Sequence, residues 1–420
     1  MVHHTIRIRR TRAPSASSKI TSMRKAKWGP PRVWALCMIA AMLAGCASGP
    51  SPSGPESPSV AIPAPAGPPP LPGPLPGPMT HPKTRWIPVG WNELPGFADD
   101  PVHESWGALM ANCQRPNAAF APLCAPIRRL SIASEAEQRE FLVTNLQPYR
   151  VESPTGQTEG LLTSYYEPVF DATRQPGGAY AVPLYGLPAG WARGRPGHTR
   201  QQLETQPDGQ ATLRGRELAW MADPVDVLML HIQGSGRLRI TEPDGRRQLV
   251  RMAFAGTNEQ PYRSVQAWLS AQGVSPISRW PEDVKAWAQQ NPQRVQQMLW
   301  ANPRYVFFRE EALTEVDAAF GPRGAQGVPL TAGRSIAVDR EAIPYGTPVW
   351  MASTGPTAQL QRLVVAQDTG SAIVGAVRAD YFAGTGDEAG RFAARMKQPL
   401  RLWALWPKGL DPSGASVPPR

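Results

Sequence analysis

Cysteine and histidine are scarce in this chain, with four Cys and six His among 420 residues. That scarcity excludes a disulfide-dense scaffold. No Cys-x-x-Cys or His-x-His spacing occurs, so neither a metal nor another cofactor is expected. Charge is also thin, at 18% Asp, Glu, Lys and Arg. Residues 1–45 contain no acidic residue at all. No apolar run approaches the roughly 20 residues that a membrane-spanning helix needs. Disorder over most of the length is excluded in turn, because 14 Trp and 41% hydrophobic residues can build real cores.

The formal net charge of +11 is mostly a property of the N-terminus. Nine of the 44 basic residues fall in 1–45; the remaining 35 face 33 acidic residues, a net of +2. Nucleic acid is therefore not expected as a partner. The basic stretch ends at Arg32, and Val33–Ala44 (VWALCMIAAMLA) follows it. An apolar core of that length fits a signal peptide better than a membrane span. The small residues leading to Cys46 (Leu43-Ala44-Gly45-Cys46) resemble a bacterial lipobox. Residues 1–45 then read as a lipoprotein signal peptide and Cys46 as the lipidated residue. Ala47 fits the sorting pattern for the outer membrane, facing the periplasm of a Gram-negative bacterium. Residues 46–84 are so rich in proline that they read as an extended linker.

Beyond the linker the pattern predicts a mainly β protein with a few short helices. Helical signals lie around Trp106–Cys113, after the Ser134–Glu137 capping box, after Pro281 and after Pro292. Short apolar runs between Gly, Pro and Asp predict strands at 161–166, 181–185, 225–232, 238–241, 306–308, 335–338, 348–351 and 363–366. In an oxidising compartment Cys113 and Cys124 are expected to form a disulfide, two free thiols being the alternative.

His231 is the one histidine placed for a Ser-His-Asp arrangement, yet a packed histidine at a strand end explains it as well. Gln233-Gly234-Ser235-Gly236 is neither a nucleophile elbow nor a phosphate loop; it marks a turn or a close backbone approach to a ligand. Asp339, Asp368 and Asp380 follow or sit in short strand-like runs beside glycine-rich loops. Acids at strand ends can point into one groove, as carboxylate chemistry on sugars requires. Asp beside Gly also serves as an ordinary turn residue, and that alternative stays open on spacing alone.

Taken in order, a set of segments resembles landmarks of the membrane-bound lytic transglycosylase A (MltA) family. They are Thr163–Pro168 (TSYYEP), Val182–Tyr185 (VPLY), Gln233–Gly236, Ala255-Gly256, Tyr262–Ser264, Asn302-Pro303, Phe307-Phe308 and Pro329–Arg340 (PLTAGRSIAVDR). Asp368–Ile373 (DTGSAI), Asp380–Phe382 and Gly384–Gly390 (GTGDEAG) are similar to a 3D domain, so called for its aspartates. The match runs from roughly residue 85 to 407.

The resemblance implies a double-psi β-barrel built from 85–168 and 312–408. A second β-domain, 169–311, would be inserted between them, with a groove at the junction and a tail at 409–420. It implies a peptidoglycan lytic exotransglycosylase, a carbon–oxygen lyase leaving 1,6-anhydromuramoyl ends. Peptidoglycan glycan strands, the membrane through Cys46 and cell-wall enzyme complexes are the partners it implies. By the same resemblance Asp380 is the catalytic acid and Asp368 its neighbour. Thr163, Ser164, Tyr165, Tyr166, Gln233, Gly234, Ser235 and Asp339 are the expected groove residues. Two other functions fit the same motifs: a non-catalytic peptidoglycan-binding lipoprotein, and a water-using muramidase with Asp339 as second carboxylate.

Overall fold

The computed structural model describes residues 75–81, 83–274 and 280–412. The signal-peptide segment, Cys46 and most of the linker lie outside them. Along the chain come β1 (Met79–His81), β2 (Thr84–Pro88), β3 (Leu146–Glu152) and β4 (Gly160–Glu167). Next are β5 (Val169–Thr173), β6 (Val182–Tyr185), β7 (Glu217–Met221), β8 (Gly236–Thr241), β9 (Arg247–Thr257) and β10 (Val306–Ala312). Then follow β11 (Ser335–Val338), β12 (Pro348–Thr354), β13 (Gln359–Asp368), β14 (Arg378–Thr385) and β15 (Lys397–Pro407).

Strands from the two ends share one sheet, in the order β1-β2-β3-β15-β12-β13-β11-β14-β4. The first half of β15 also pairs with β4, which brings the far edge of that sheet back onto itself and nearly closes a barrel. The middle strands form a separate six-stranded sheet, β10-β9-β8-β5-β7-β6. β1 falls within the segment read from sequence as linker, because it pairs antiparallel with β2 as a short hairpin.

The core of this sheet is packed on both faces of its strands, with Trp86, Trp350, Trp403 and Trp406 all essentially inaccessible. Buried aromatics of this size each remove about 150–250 Å² from water. At about 25 cal/mol per Å², that is roughly 4–6 kcal/mol each as an upper estimate. Cys113 and Cys124 are joined in a disulfide that ties the helix Trp106–Asn112 to the helix Cys124–Arg129 beside this core. Ser134 and Glu137 form a reciprocal capping box at the start of the helix Glu135–Asn145.

One expected strand is a helix. Residues 225–232 lie in the helix Pro224–Gln233, with the Asp223 side chain capping its start and Gly234, at φ 80°, ending it. The run is apolar on every side because it is buried on nearly every side, so its periodicity carries no helical signal. Asp223, Pro224 and Gly234 are nonetheless the expected residues at a helix start and stop.

Candidate active site

Pleating decides what the catalytic candidates face. Leu162, Ala379, Tyr381, Ile336 and Val338 point into the barrel core. Thr163, Asp380 and Ala337 therefore point outward. Across four adjacent strands the register places Asp368 beside Ala337, Ala337 beside Asp380, and Asp380 beside Thr163. Asp368 reaches this row through a bulge: Ala366 pairs with Ile336 but Asp368, not Gln367, pairs with Ala337. Without the extra residue the strand alternation would send Asp368 to the other face. Ala337 thus separates two carboxyls whose strands are two spacings apart, about 10 Å between Cα atoms. Asp380 lies inside β14, third of its eight residues, rather than at a strand end.

Asp380 accepts a hydrogen bond from the Thr163 hydroxyl, which itself accepts one from Arg378 Nη2 at 2.9 Å. Burial pushes the Asp380 carboxyl up to about 6, against the opposing pull of Thr163 and Arg378; Asp368 adds a smaller upward push. The side chain is half-buried, so it keeps an opening to solvent while most of its surroundings exclude water. Asp368 is likewise raised, mainly by burial. It accepts from Tyr165 Oη at 2.7 Å and from the Ala325 backbone N–H at 2.9 Å. The Tyr165 ring packs on Phe382, 5.3 Å between centroids, and burial holds its hydroxyl well above the ordinary range.

Thr163 is also a wall of a cleft of about 230 Å³. Ser164, Tyr166, Gly390 and Met396 line it from the barrel. Gln233, Tyr262, Ser264 and Gln266 line it from the segment that carries the second sheet. Ser164 Oγ donates to the Tyr381 carbonyl at 2.6 Å, stitching β4 to β14. Gln233, the last residue of its helix, accepts from the Tyr166 backbone N–H at 3.1 Å and so joins the two sheets at the cleft. Gly234 and Ser235 form the turn into β8, behind that contact. The Tyr166 hydroxyl is pushed up to about 12, chiefly by burial.

Asp339 is committed elsewhere. Its carboxylate accepts from Lys83 Nζ at 3.1 Å and from the backbone N–H groups of Gly375 and Glu341, bracing the loops around β11. His231 sits in the helix Pro224–Gln233, not at a strand end. Its Nδ1 lies 2.7 Å from the guanidinium of Arg200, and burial holds it well below its usual pKa. It is a neutral packing partner of Tyr305, 4.4 Å between ring centroids. Among the described residues no cluster of His, Cys, Asp or Glu could hold a metal ion, and no helix is long and apolar enough to cross a membrane.

Arg378 escaped the sequence reading although its signal was present: it stands two residues before Asp380 on one strand, hence on the same face. Asp380, its carboxyl raised to about 6 and one hydrogen bond behind a cleft wall, is the candidate here for general acid–base catalysis. Comparison with known proteins makes this specific. The MltA specific insert domain matches residues 161–309 and the 3D domain residues 334–406. Membrane-bound lytic murein transglycosylase A of Vibrio cholerae is 31% identical over 268 residues, covering 61% of this chain and 67% of that protein. The structure of the lytic transglycosylase LtgG of Burkholderia pseudomallei is 42% identical and covers 77% of this chain and 96% of its own, with a TM-score of 0.54. That of MltA from Neisseria gonorrhoeae is 29% identical, covers 81% and 97%, and has a TM-score of 0.68. The chain belongs to the membrane-bound lytic murein transglycosylase A family, a family of enzymes.

Proposed function

We propose that this protein cleaves the β-1,4 bond between N-acetylmuramic acid and N-acetylglucosamine in peptidoglycan, with Asp380 as its single acid–base catalyst. The observation that carries this is the Asp380 carboxyl, raised to about 6 and bonded to the cleft residue Thr163. Near pH 6 it is half protonated, so it can donate a proton to the glycosidic oxygen as the C1–O bond breaks. The C6 hydroxyl of the same muramic residue attacks C1, and the Asp380 carboxylate takes the hydroxyl proton. The acid is restored, no water is consumed, and a 1,6-anhydro end remains. An intramolecular nucleophile brings a large proximity advantage, which is why one carboxyl suffices where a hydrolase needs two.

Asp368 adds a small upward push to Asp380 beside the larger one from burial, and Tyr165 donates a hydrogen bond to Asp368. The muramidase alternative needs a free second carboxylate, and the ties on Asp339 to Lys83 and Gly375 argue against that residue as the group. Anchoring at the outer membrane through lipidated Cys46 belongs to the same proposal, as does activity within cell-wall enzyme complexes. Mass spectrometry of the soluble products from purified sacculi tests the reaction. Muropeptides one water lighter than their hydrolysed equivalents are expected. Ordinary reducing ends would make the enzyme a hydrolase, and bound but uncut sacculi would make it a tether.

A further inference from the structure

A second cleft, about 470 Å³, shares Ser264 with the first. Tyr262 and Gln266 face the first cleft, Arg263, Ala267 and Trp268 face the second, and Ser264 borders both. Two tryptophans, Trp268 and Trp300, wall the second cleft. Both are held in place. Arg294 stacks over Trp268 at 5.5 Å, and Trp300 Nε1 donates to Glu204 at 2.7 Å. The backbone of Arg263 is pinned by its N–H bond to Asn302 Oδ1, 3.1 Å. Its side chain is exposed and makes no ion pair with any described residue.

An unpaired cation beside two rigid indole faces is a receptor for a carboxylate on a partly apolar chain. Resting on the proposed reaction, we propose that this second cleft holds the acidic stem peptide carried by the muramic residue bound in the first. Ser264 borders both clefts, so the lactyl-peptide substituent of a sugar seated in the first has a way to Arg263 in the second. Arg263 receives the peptide carboxylate, and the Trp268 and Trp300 faces cover its apolar side chains. The site selects muramoyl residues that still bear peptide and places the cut beside them.

The test uses Arg263→Gln and Arg263→Lys in the full chain, on glycan strands with their peptides and on the same strands after enzymatic removal of the peptides. The ratio of kcat/KM between the two substrates should fall at least 5-fold in Arg263→Gln, through KM, and recover largely in Arg263→Lys. An unchanged ratio, or equal losses on both substrates, overturns the proposal. Calorimetric binding of a soluble disaccharide bearing a tripeptide, against the disaccharide alone, reads the second cleft without turnover. Tighter binding of the peptide form that weakens in Arg263→Gln supports the cleft even where no cleavage is seen, a result that would sink the proposed reaction alone. Equal affinity for both disaccharides overturns the peptide site while leaving the reaction standing.

Discussion

Asp380 and Thr163 are neighbours across β14 and β4, and their hydrogen bond sets how the site titrates. Asp380→Asn keeps the shape but cannot donate the proton, so turnover should fall by roughly 10²–10⁴-fold, the scale for a general acid–base group. A folded variant with near-normal rate would remove Asp380 from the mechanism. In the native enzyme the donor form is lost as pH rises through about 6, so the rate should decline above that value. Stability follows with a definite sign. The folded state binds the Asp380 proton more tightly than the unfolded chain, so this residue costs stability as pH climbs from near 4 to about 6, the cost levelling off above that. Asp380→Asn should therefore melt above the native protein at pH 7, the gap closing toward pH 4. Thr163→Val removes a bond that favours the carboxylate, so the decline in rate should move to higher pH. A pH–rate profile unmoved, or moved downward, would contradict that role for Thr163.

The helix Asp387–Arg395 lies against β4 and supplies Gly390 to the cleft. A Cβ at Gly390 would come within 2.8 Å of the Tyr166 ring. In an isolated helix Gly→Ala gains about 1 kcal/mol. Here the same change pushes Tyr166 into the cleft, so Gly390→Ala should lower kcat/KM while the melting temperature holds or rises. Loss of stability along with activity would mean the glycine serves packing alone. Gln233 shows the complementary case of an element end used as a tool. Its helix stops at Gly234, in the left-handed region, and that stop leaves Gln233 facing the Tyr166 backbone.

The two sheets meet at a fully buried carboxylate. Glu167 ends β4, and β5 begins two residues later. It accepts from Arg237 at 2.7 Å and Arg251 at 2.6 Å, and from Thr385 at 3.0 Å. The same two arginines donate to the carbonyls of Ala318 and Phe320, in the connector leading from the second sheet back to the barrel. Five residues beyond Phe320, the Ala325 backbone N–H donates to Asp368. One ion cluster thus ties together both crossings of the chain between the two sheets. Breaking such a buried cluster typically costs about 3–5 kcal/mol, because the guanidinium groups lose their counter-charge. Glu167→Gln should therefore lower the denaturant midpoint by a corresponding amount. A shift under about 1 kcal/mol would mean the arginines find other partners.

The sequence by itself determined most of the local elements and the residue types of the candidate site. The strand expected at 161–166, the capping box at Ser134 and the expected pairing of Cys113 with Cys124 rest on patterns a few residues long, or on the chemistry of the compartment. So does the chain's order of motifs, which pointed to the family. Only tertiary structure decided which acids meet. The bulge that turns Asp368 to the face of Asp380, the contact of Gln233 with Tyr166, and the burial that raises Asp380 all arise between strands far apart in the chain. Register and desolvation are properties of packed neighbours, and a sequence of side chains does not name its neighbours across a sheet. The helix at Pro224–Gln233 shows the same limit from the other direction. Once a helix is buried on all sides its period vanishes, and what remains legible is the punctuation at its ends.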